Sequence, residues 1–234
     1  MGRGRRRRAG TRGTVRRGSG RGPRSGELRL FPLKAVLFPR GSLPLRVFEP
    51  RYKALVQDCL ERGEPFGISL IQEGPEVGGV ALPHVLGTQA EIRRSERKAN
   101  GEIHVTVEGR LRYRMVEELE RSPVWRARVE YLDEPLGDPR TASEAREELR
   151  SAMSRYANLY YLLTSRQLLF DRHFRDPVRL SYYLADLLDV DNDEKQGLLE
   201  APDAATRLDR ERELLDGQNH RLERFWSEHK FSRN

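Results

Sequence analysis

The chain has 234 residues, 37% of them apolar and 34% charged, enough for one sizeable domain or two small ones sharing an interface. No run approaches the ~18 consecutive apolar residues of a membrane span. The basic start lacks an apolar h-region and a cleavage site, and the lone Cys59 excludes a disulfide framework and a cysteine-based zinc site. A protein of the reducing cytoplasm without a membrane partner is expected.

The net charge of +7 is unevenly placed. Residues 1–26 hold ten arginines, eight glycines and no acid, which leaves 33 basic against 36 acidic residues in the remainder. Such a segment cannot bury enough surface to offset its ordering entropy, so 1–26 reads as a disordered tail. Two readings of it stay open. Its arginines, Arg5, Arg6, Arg7 and Arg8 foremost, suit a nucleic-acid arm that binds by releasing counterions. With 38 arginines and five lysines in the chain, the tail equally suits a start placed too far upstream in a G- and C-rich genome, with translation beginning near Val15 or later.

From Glu27 onward, short β-rich runs come first. Leu28–Leu33, Val36–Phe38 and Leu43–Phe48 are apolar, and Pro32, Pro39 and Pro44 mark them as edge or bulged strands. A helix is expected over Pro50–Arg62, with Pro50 at its first position and Gly63 as its stop. Phe66–Ile71 is a further strand. Glu91–Arg97 and Glu102–Glu108 read as a hairpin about a two-residue type I′ Asn100-Gly101 turn. Gly109 punctuates, then Leu111, Tyr113 and Met115 alternate, and Trp125, Ala127, Val129 and Tyr131 form the last strand. The spacing predicts a closed or nearly closed antiparallel sheet with one helix at its mouth.

After 135–139 the period becomes helical. Ser143 with Glu144, Glu147 and Glu148 marks a helix start, followed by Leu149, Met153, Tyr156, Tyr160 and Leu163 at helical spacing. Asp176-Pro177, Asp191 or Asn192, and Asp203 start three more helices. Four helices of ~75–85 residues make a bundle that needs docking against the sheet for stability. The five tyrosines 156, 160, 161, 182 and 183 read mainly as a seal between the bundle and the sheet.

Motifs of catalysis are missing: no phosphate-binding loop, no nucleophile elbow, no paired metal-ligating histidines. No cofactor, metal or catalytic residue is expected, and Cys59 reads as an inert buried thiol.

The run Leu30-Phe31-Pro32-Leu33-Lys34-Ala35-Val36-Leu37-Phe38-Pro39, continued by Leu43-Pro44-Leu45-Arg46-Val47-Phe48-Glu49-Pro50-Arg51-Tyr52, resembles the opening of the Lon protease amino-terminal domain. Asp58-Cys59-Leu60, Gly87–Ile92, Val107–Tyr113 and Asp193–Pro202 resemble its later motifs in the same order. Arg40 departs from the family, which usually has glycine directly after that proline. The resemblance spans roughly 28–215.

It implies an α+β fold: a PUA-like antiparallel β pseudobarrel with one helix over 27–136, then a C-terminal helical bundle over 137–216, with 217–234 as an extension. It also implies a non-catalytic module like the stand-alone bacterial Lon-substrate-binding-domain proteins, without the ATPase and Ser–Lys peptidase of full Lon. Such a module recognises unfolded or degron-bearing polypeptides and acts as an adaptor in protein degradation beside a protease or ATPase partner. The alternative is an RNA- or DNA-associated protein using the tail and the PUA-like body. For peptide binding, proline-interrupted edge strands offer unpaired backbone groups. Phe48, Arg51 and Tyr52 at the helix entrance and Arg110, Arg112 and Tyr113 on a late strand are the candidate lining. The competing reading makes Phe48 core, pairs Arg51 with a nearby acid, and puts Arg110 and Arg112 on a solvated face.

Overall fold

The computed structural model describes residues 25–168 and 175–230; Arg5–Arg8 lie outside the described residues. Seven strands form an essentially antiparallel sheet: β1 (Ser25–Leu33), β2 (Ser42–Val47), β3 (Phe66–Glu73), β4 (Leu82–Pro83), β5 (Leu86–Arg97), β6 (Ile103–Glu120) and β7 (Trp125–Tyr131). Helix α1 (Pro50–Arg62) sits between β2 and β3. The order is β1-β7-β6-β5-β3-β4, with β2 paired to β6. A parallel pairing, Leu30–Leu33 against Gly67–Leu70, joins β1 to β3 and brings the ladder back on itself. It departs from the all-antiparallel expectation, and it is possible because β2 and α1 supply the long crossover that parallel strands need.

The prolines act locally. Pro44 lies in β2, which among the described residues pairs on one side only. Pro32 lies in a strand paired on both sides, but the β7 ladder ends at Leu30, so Pro32 has β3 alone as neighbour. Val36–Phe38 is loop rather than strand, although Leu37 and Phe38 are buried.

Two further expectations change. Only Gly101 of the Asn100-Gly101 pair has a positive φ, whereas type I′ needs both. Gly101 N–H donates to the Lys98 carbonyl and Lys98 N–H to the Glu102 carbonyl, which closes a three-residue loop ending on a left-handed glycine. Gly109 does not end a strand: β6 runs through it for 18 residues. Its lack of a side chain serves close approach, since a Cβ there would stand 2.1 Å from the Phe38 carbonyl oxygen. The 38–41 turn crosses at that point, with Arg40 N–H on the Gly109 carbonyl and Gly109 N–H on the Gly41 carbonyl.

Four helices follow: α2 (Pro139–Thr164), α3 (Pro177–Leu187), α4 (Asn192–Glu200) and α5 (Ala204–Lys230). Asp176, Asp191 and Asp203 accept backbone N–H groups at the starts of α3, α4 and α5. For α2 that role belongs to Asp138, not Ser143: its carboxylate accepts from Thr141 N–H, and Pro139 takes the first position. Proline needs no donor there and has its φ preset, so the helix begins four residues before Ser143.

Three apolar clusters hold the chain together. One fills the sheet around Phe66, Ile68 and Val107 and takes up Tyr52, Leu55, Val56 and Cys59 from α1, which recur at helical spacing. A second lies between β1, β7 and Tyr113. The third spans the helices and includes Val36, Phe38, Leu70 and Leu86 from the sheet side. Helices and sheet therefore share one core. Of the five tyrosines, Tyr182 is buried at this junction near Phe38, Tyr156 is buried among the helices, and Tyr161 is exposed.

Candidate functional site

Helix α1 begins where β2 ends, and the side chains around that corner form one connected set. The Tyr52 ring stacks on Phe31 at 3.9 Å between centroids. The Arg51 guanidinium lies 4.6 Å from the Tyr52 ring centre and pairs with Glu49 at 3.0 Å. The Glu49 carboxylate also accepts from Gly78 N–H, which ties the β3–β4 loop to the helix start. Glu76 in that loop accepts from Lys34 N–H. Burial pushes the Tyr52 hydroxyl up, and the Arg51 charge partly offsets it.

These contacts leave an open cleft of about 250 Å³, lined by Leu33, Leu45, Phe48, Tyr52, Glu76 and Val77 among others. Phe48 is 43% and Val77 53% exposed. An aromatic and a valine held at the mouth of an apolar cleft, over a rigid stacked floor, suit an apolar side chain of a partner.

Strand β2 borders the same cleft. Among the described residues it pairs only with β6. Gly109 N–H donates to the Gly41 carbonyl, so alternation turns the backbone groups of Leu43, Leu45 and Val47 toward β6 and those of Ser42, Pro44 and Arg46 outward. Pro44, with no N–H to offer a ladder, fits only that outward phase. The free edge thus offers N–H groups at Ser42 and Arg46 and carbonyls at all three.

The six candidate residues do not share one surface. Phe48, Arg51 and Tyr52 come together at the cleft; Phe48 is exposed rather than core, and Arg51 is spent on Glu49 and Tyr52. Arg110 lies in a separate hollow with Arg40, Gln89 and Glu91, paired to Glu91 and Glu108. Arg112 and Tyr113 are interior. Tyr113 is fully buried and its hydroxyl hydrogen-bonds Ser69 Oγ at 2.7 Å; burial raises its pKa. Arg112 is 2% exposed and binds Glu134 at 2.9 Å. A register shift between Thr88 and Ala90 against Arg112 and Gly109 breaks the alternation that would have put Arg110 and Arg112 on one face.

Val77 and Leu45 were missed as lining. Val77 had a signal, since a valine among Pro75, Gly78 and Gly79 lies in a surface turn and has nowhere to bury. Cys59 is buried; Arg29 lies 3.5 Å away, yet desolvation outweighs its charge and raises the thiol pKa. Among the described residues no group of three or more His, Cys, Asp or Glu is placed to hold a metal ion. No helix among them is long and apolar enough to cross a membrane.

The family described as the ATP-dependent protease La (Lon) substrate-binding domain matches residues 27–217. The chain belongs to the Lon substrate-binding domain family. Lon protease 1 of Thermus thermophilus is 30% identical over 200 residues, covering 81% of this chain and 24% of that protein. The Lon protease of Syntrophus aciditrophicus is 26% identical over 193 residues, covering 80% and 24%. The chain thus spans about a quarter of the length of the curated relatives it matches.

Among solved structures, a Lon N-terminal domain protein from Xanthomonas campestris is similar at a TM-score of 0.58 and 27% identity, over 79% of this chain and 96% of that one. The N-terminal domain of Mycobacterium avium complex Lon protease reaches a TM-score of 0.59 over 82% and 98%. At 17% identity it speaks for the fold alone. Within this Lon substrate-binding domain, the cleft beside β2 combines an open strand edge with exposed apolar side chains.

Proposed function

We propose that the chain is a non-catalytic recognition module of protein degradation that binds unfolded or degron-bearing polypeptides along β2, acting as an adaptor beside a protease or ATPase partner in the cytoplasm. The observation that carries this reading is the free edge of β2 alongside the Phe48–Val77 cleft. An extended chain adds to such an edge through main-chain hydrogen bonds, which are indifferent to sequence, while the cleft takes every second side chain. A folded protein has most of its backbone groups already paired and offers few open edges to add there. On this reading the returning ladder over 27–136 is the PUA-like pseudobarrel and the helices over 137–216 are the bundle that supports it.

The test is fluorescence anisotropy of a labelled, permanently unfolded polypeptide titrated with the full chain at moderate and high salt, with a folded protein of similar charge as competitor. Saturable binding that resists the competitor and persists in high salt supports the strand-addition reading. Binding that falls steeply with salt assigns the affinity to the arginine-rich segment instead and overturns it. No binding overturns it as well.

A further inference from the structure

A second hollow is larger than the cleft beside β2. It lies between the 38–41 turn and α3, encloses about 360 Å³, and is lined by Pro39, Arg40, Gly41, Arg179, Tyr183 and Asp186 among others. Arg179, Tyr183 and Asp186 stand at i, i+4 and i+7 on α3, so they form one stripe facing the turn. A Cβ built on Gly41 would stand 3.6 Å from Asp186 Oδ1, so that carboxylate sits directly over the turn.

The charges here are largely uncommitted. Arg40 makes no ion pair or side-chain hydrogen bond among the described residues. It also holds φ +67°, a backbone conformation that glycine adopts without steric cost. The turn is pinned there by Arg40 N–H on the Gly109 carbonyl and Gly41 N–H on the Phe38 carbonyl. Arg179 uses its Nε on Asp176 at 3.2 Å, and among the described residues the rest of its planar fork meets no other acceptor. Among the described residues no hydrogen bond reaches the Asp186 carboxylate; burial raises its pKa and the Lys195 charge partly offsets that. Two guanidiniums and one carboxylate leave a net single positive charge, with donors from both sides and one acceptor.

We propose that this cavity binds a free carboxylate carrying an N–H donor next to it, the chemistry of a polypeptide C-terminus. The guanidiniums of Arg40 and Arg179 take the carboxylate, Asp186 accepts the N–H of the terminal residue, and Tyr183 with Pro39 supplies a flat apolar wall for its side chain. A dianion such as phosphate matches less well, because Asp186 repels its second charge while nothing on it donates to Asp186. The proposal rests on the polypeptide-binding reading and adds a selection for chain ends, spatially separate from β2.

The test uses the isotope-labelled full chain and follows backbone amide resonances of Arg40, Gly41, Tyr183 and Asp186. The probes are an N-acetylated dipeptide as free acid, the same dipeptide as C-terminal amide, and inorganic phosphate. The free acid is expected to give saturable shifts at these residues, with the amide roughly tenfold weaker or worse. Arg40→Gly, which puts at this position the residue its backbone favours, should abolish the response while leaving the rest of the spectrum in place. Equal responses to acid and amide, no saturation with the acid, or an unchanged response in Arg40→Gly each overturn the proposal. Phosphate acting more strongly than the acid overturns the carboxylate assignment in favour of a general anion site. Failure of long unfolded polypeptides to bind β2, with these shifts intact, overturns the strand-edge reading alone.

Discussion

Arg112 of β6 reaches Leu199 at the end of α4, its guanidinium donating to that carbonyl at 2.7 Å and to the Ala201 carbonyl at the same distance. These carbonyls end a helix and have no partner within it. Arg207 of α5 covers the neighbouring Leu198 carbonyl at 2.8 Å and stacks on the Tyr182 ring. Glu134 binds both Arg112 and the Tyr182 hydroxyl and supplies the countercharge. Sheet and helices are thus joined by a buried polar network beside their shared apolar core. Arg112→Ala should lower the unfolding free energy by about 3–5 kcal/mol, because it takes the countercharge from Glu134 and leaves the Leu199 carbonyl without its donor. Arg112→Lys should recover little, since one ammonium cannot serve three acceptors in a planar fork. Urea titration checks both, and a loss under about 1 kcal/mol for Arg112→Ala would show that the network is dispensable.

Glu211 of α5 is fully buried, and neither carboxylate oxygen has a hydrogen-bond partner among the described residues. Burial pushes its carboxyl well above the usual range, with the Arg207 charge and the backbone of Ala185 only partly offsetting it. A folded-state pKa above the unfolded value of about 4.3 means that stability is fully present at lower pH. It is then lost as pH rises through the folded value. Glu211→Gln removes this loss. Melting curves of the two proteins should lie closest near pH 4 and diverge upward, with the variant ahead at neutral pH. Parallel curves from pH 4 to 8 would refute the assignment.

The Tyr113 hydroxyl sits in space that two glycines leave open. A Cβ on Gly67 would stand 2.6 Å and one on Gly87 2.7 Å from that oxygen, and the latter also 2.4 Å from the Ile68 carbonyl. Tyr113→Phe strands the buried Ser69 hydroxyl and should cost about 1–3 kcal/mol. Gly87→Ala should cost a similar amount through overpacking, since the backbone it meets cannot swing aside. Thermal denaturation measures both.

At Arg40 the expected sign is reversed. An L-residue in the left-handed region costs roughly 1–2 kcal/mol, so Arg40→Gly should stabilise the fold, by less than that because glycine also gains freedom in the unfolded chain. A destabilised variant would mean that the guanidinium holds the turn together.

Phe48 separates binding from folding. Truncating this exposed ring to alanine should change the melting temperature little, while weakening an unfolded polypeptide by about 1–2 kcal/mol, roughly tenfold. Unchanged affinity in the anisotropy titration would remove the cleft from the site.

Much of the architecture follows from signals that act within a few residues. Pro50 and Gly63 bound α1, Trp125–Tyr131 alternates as β7 does, and Asp176, Asp191 and Asp203 start their helices, because capping, alternation and φ preference need no distant partner. The resemblance of the Leu30–Tyr52 run pointed to the right family, and Phe48 with Tyr52 was legible at the helix entrance. Gly109 and Arg112 were not legible in the same way. A glycine in an alternating run reads as punctuation until Phe38 is seen crossing it. An arginine flanked by alternating residues reads as solvated until Leu199 and Ala201 arrive, 87 and 89 positions away. Whether a charge is buried depends on what packs over it, and only the meeting of sheet and helices decides that.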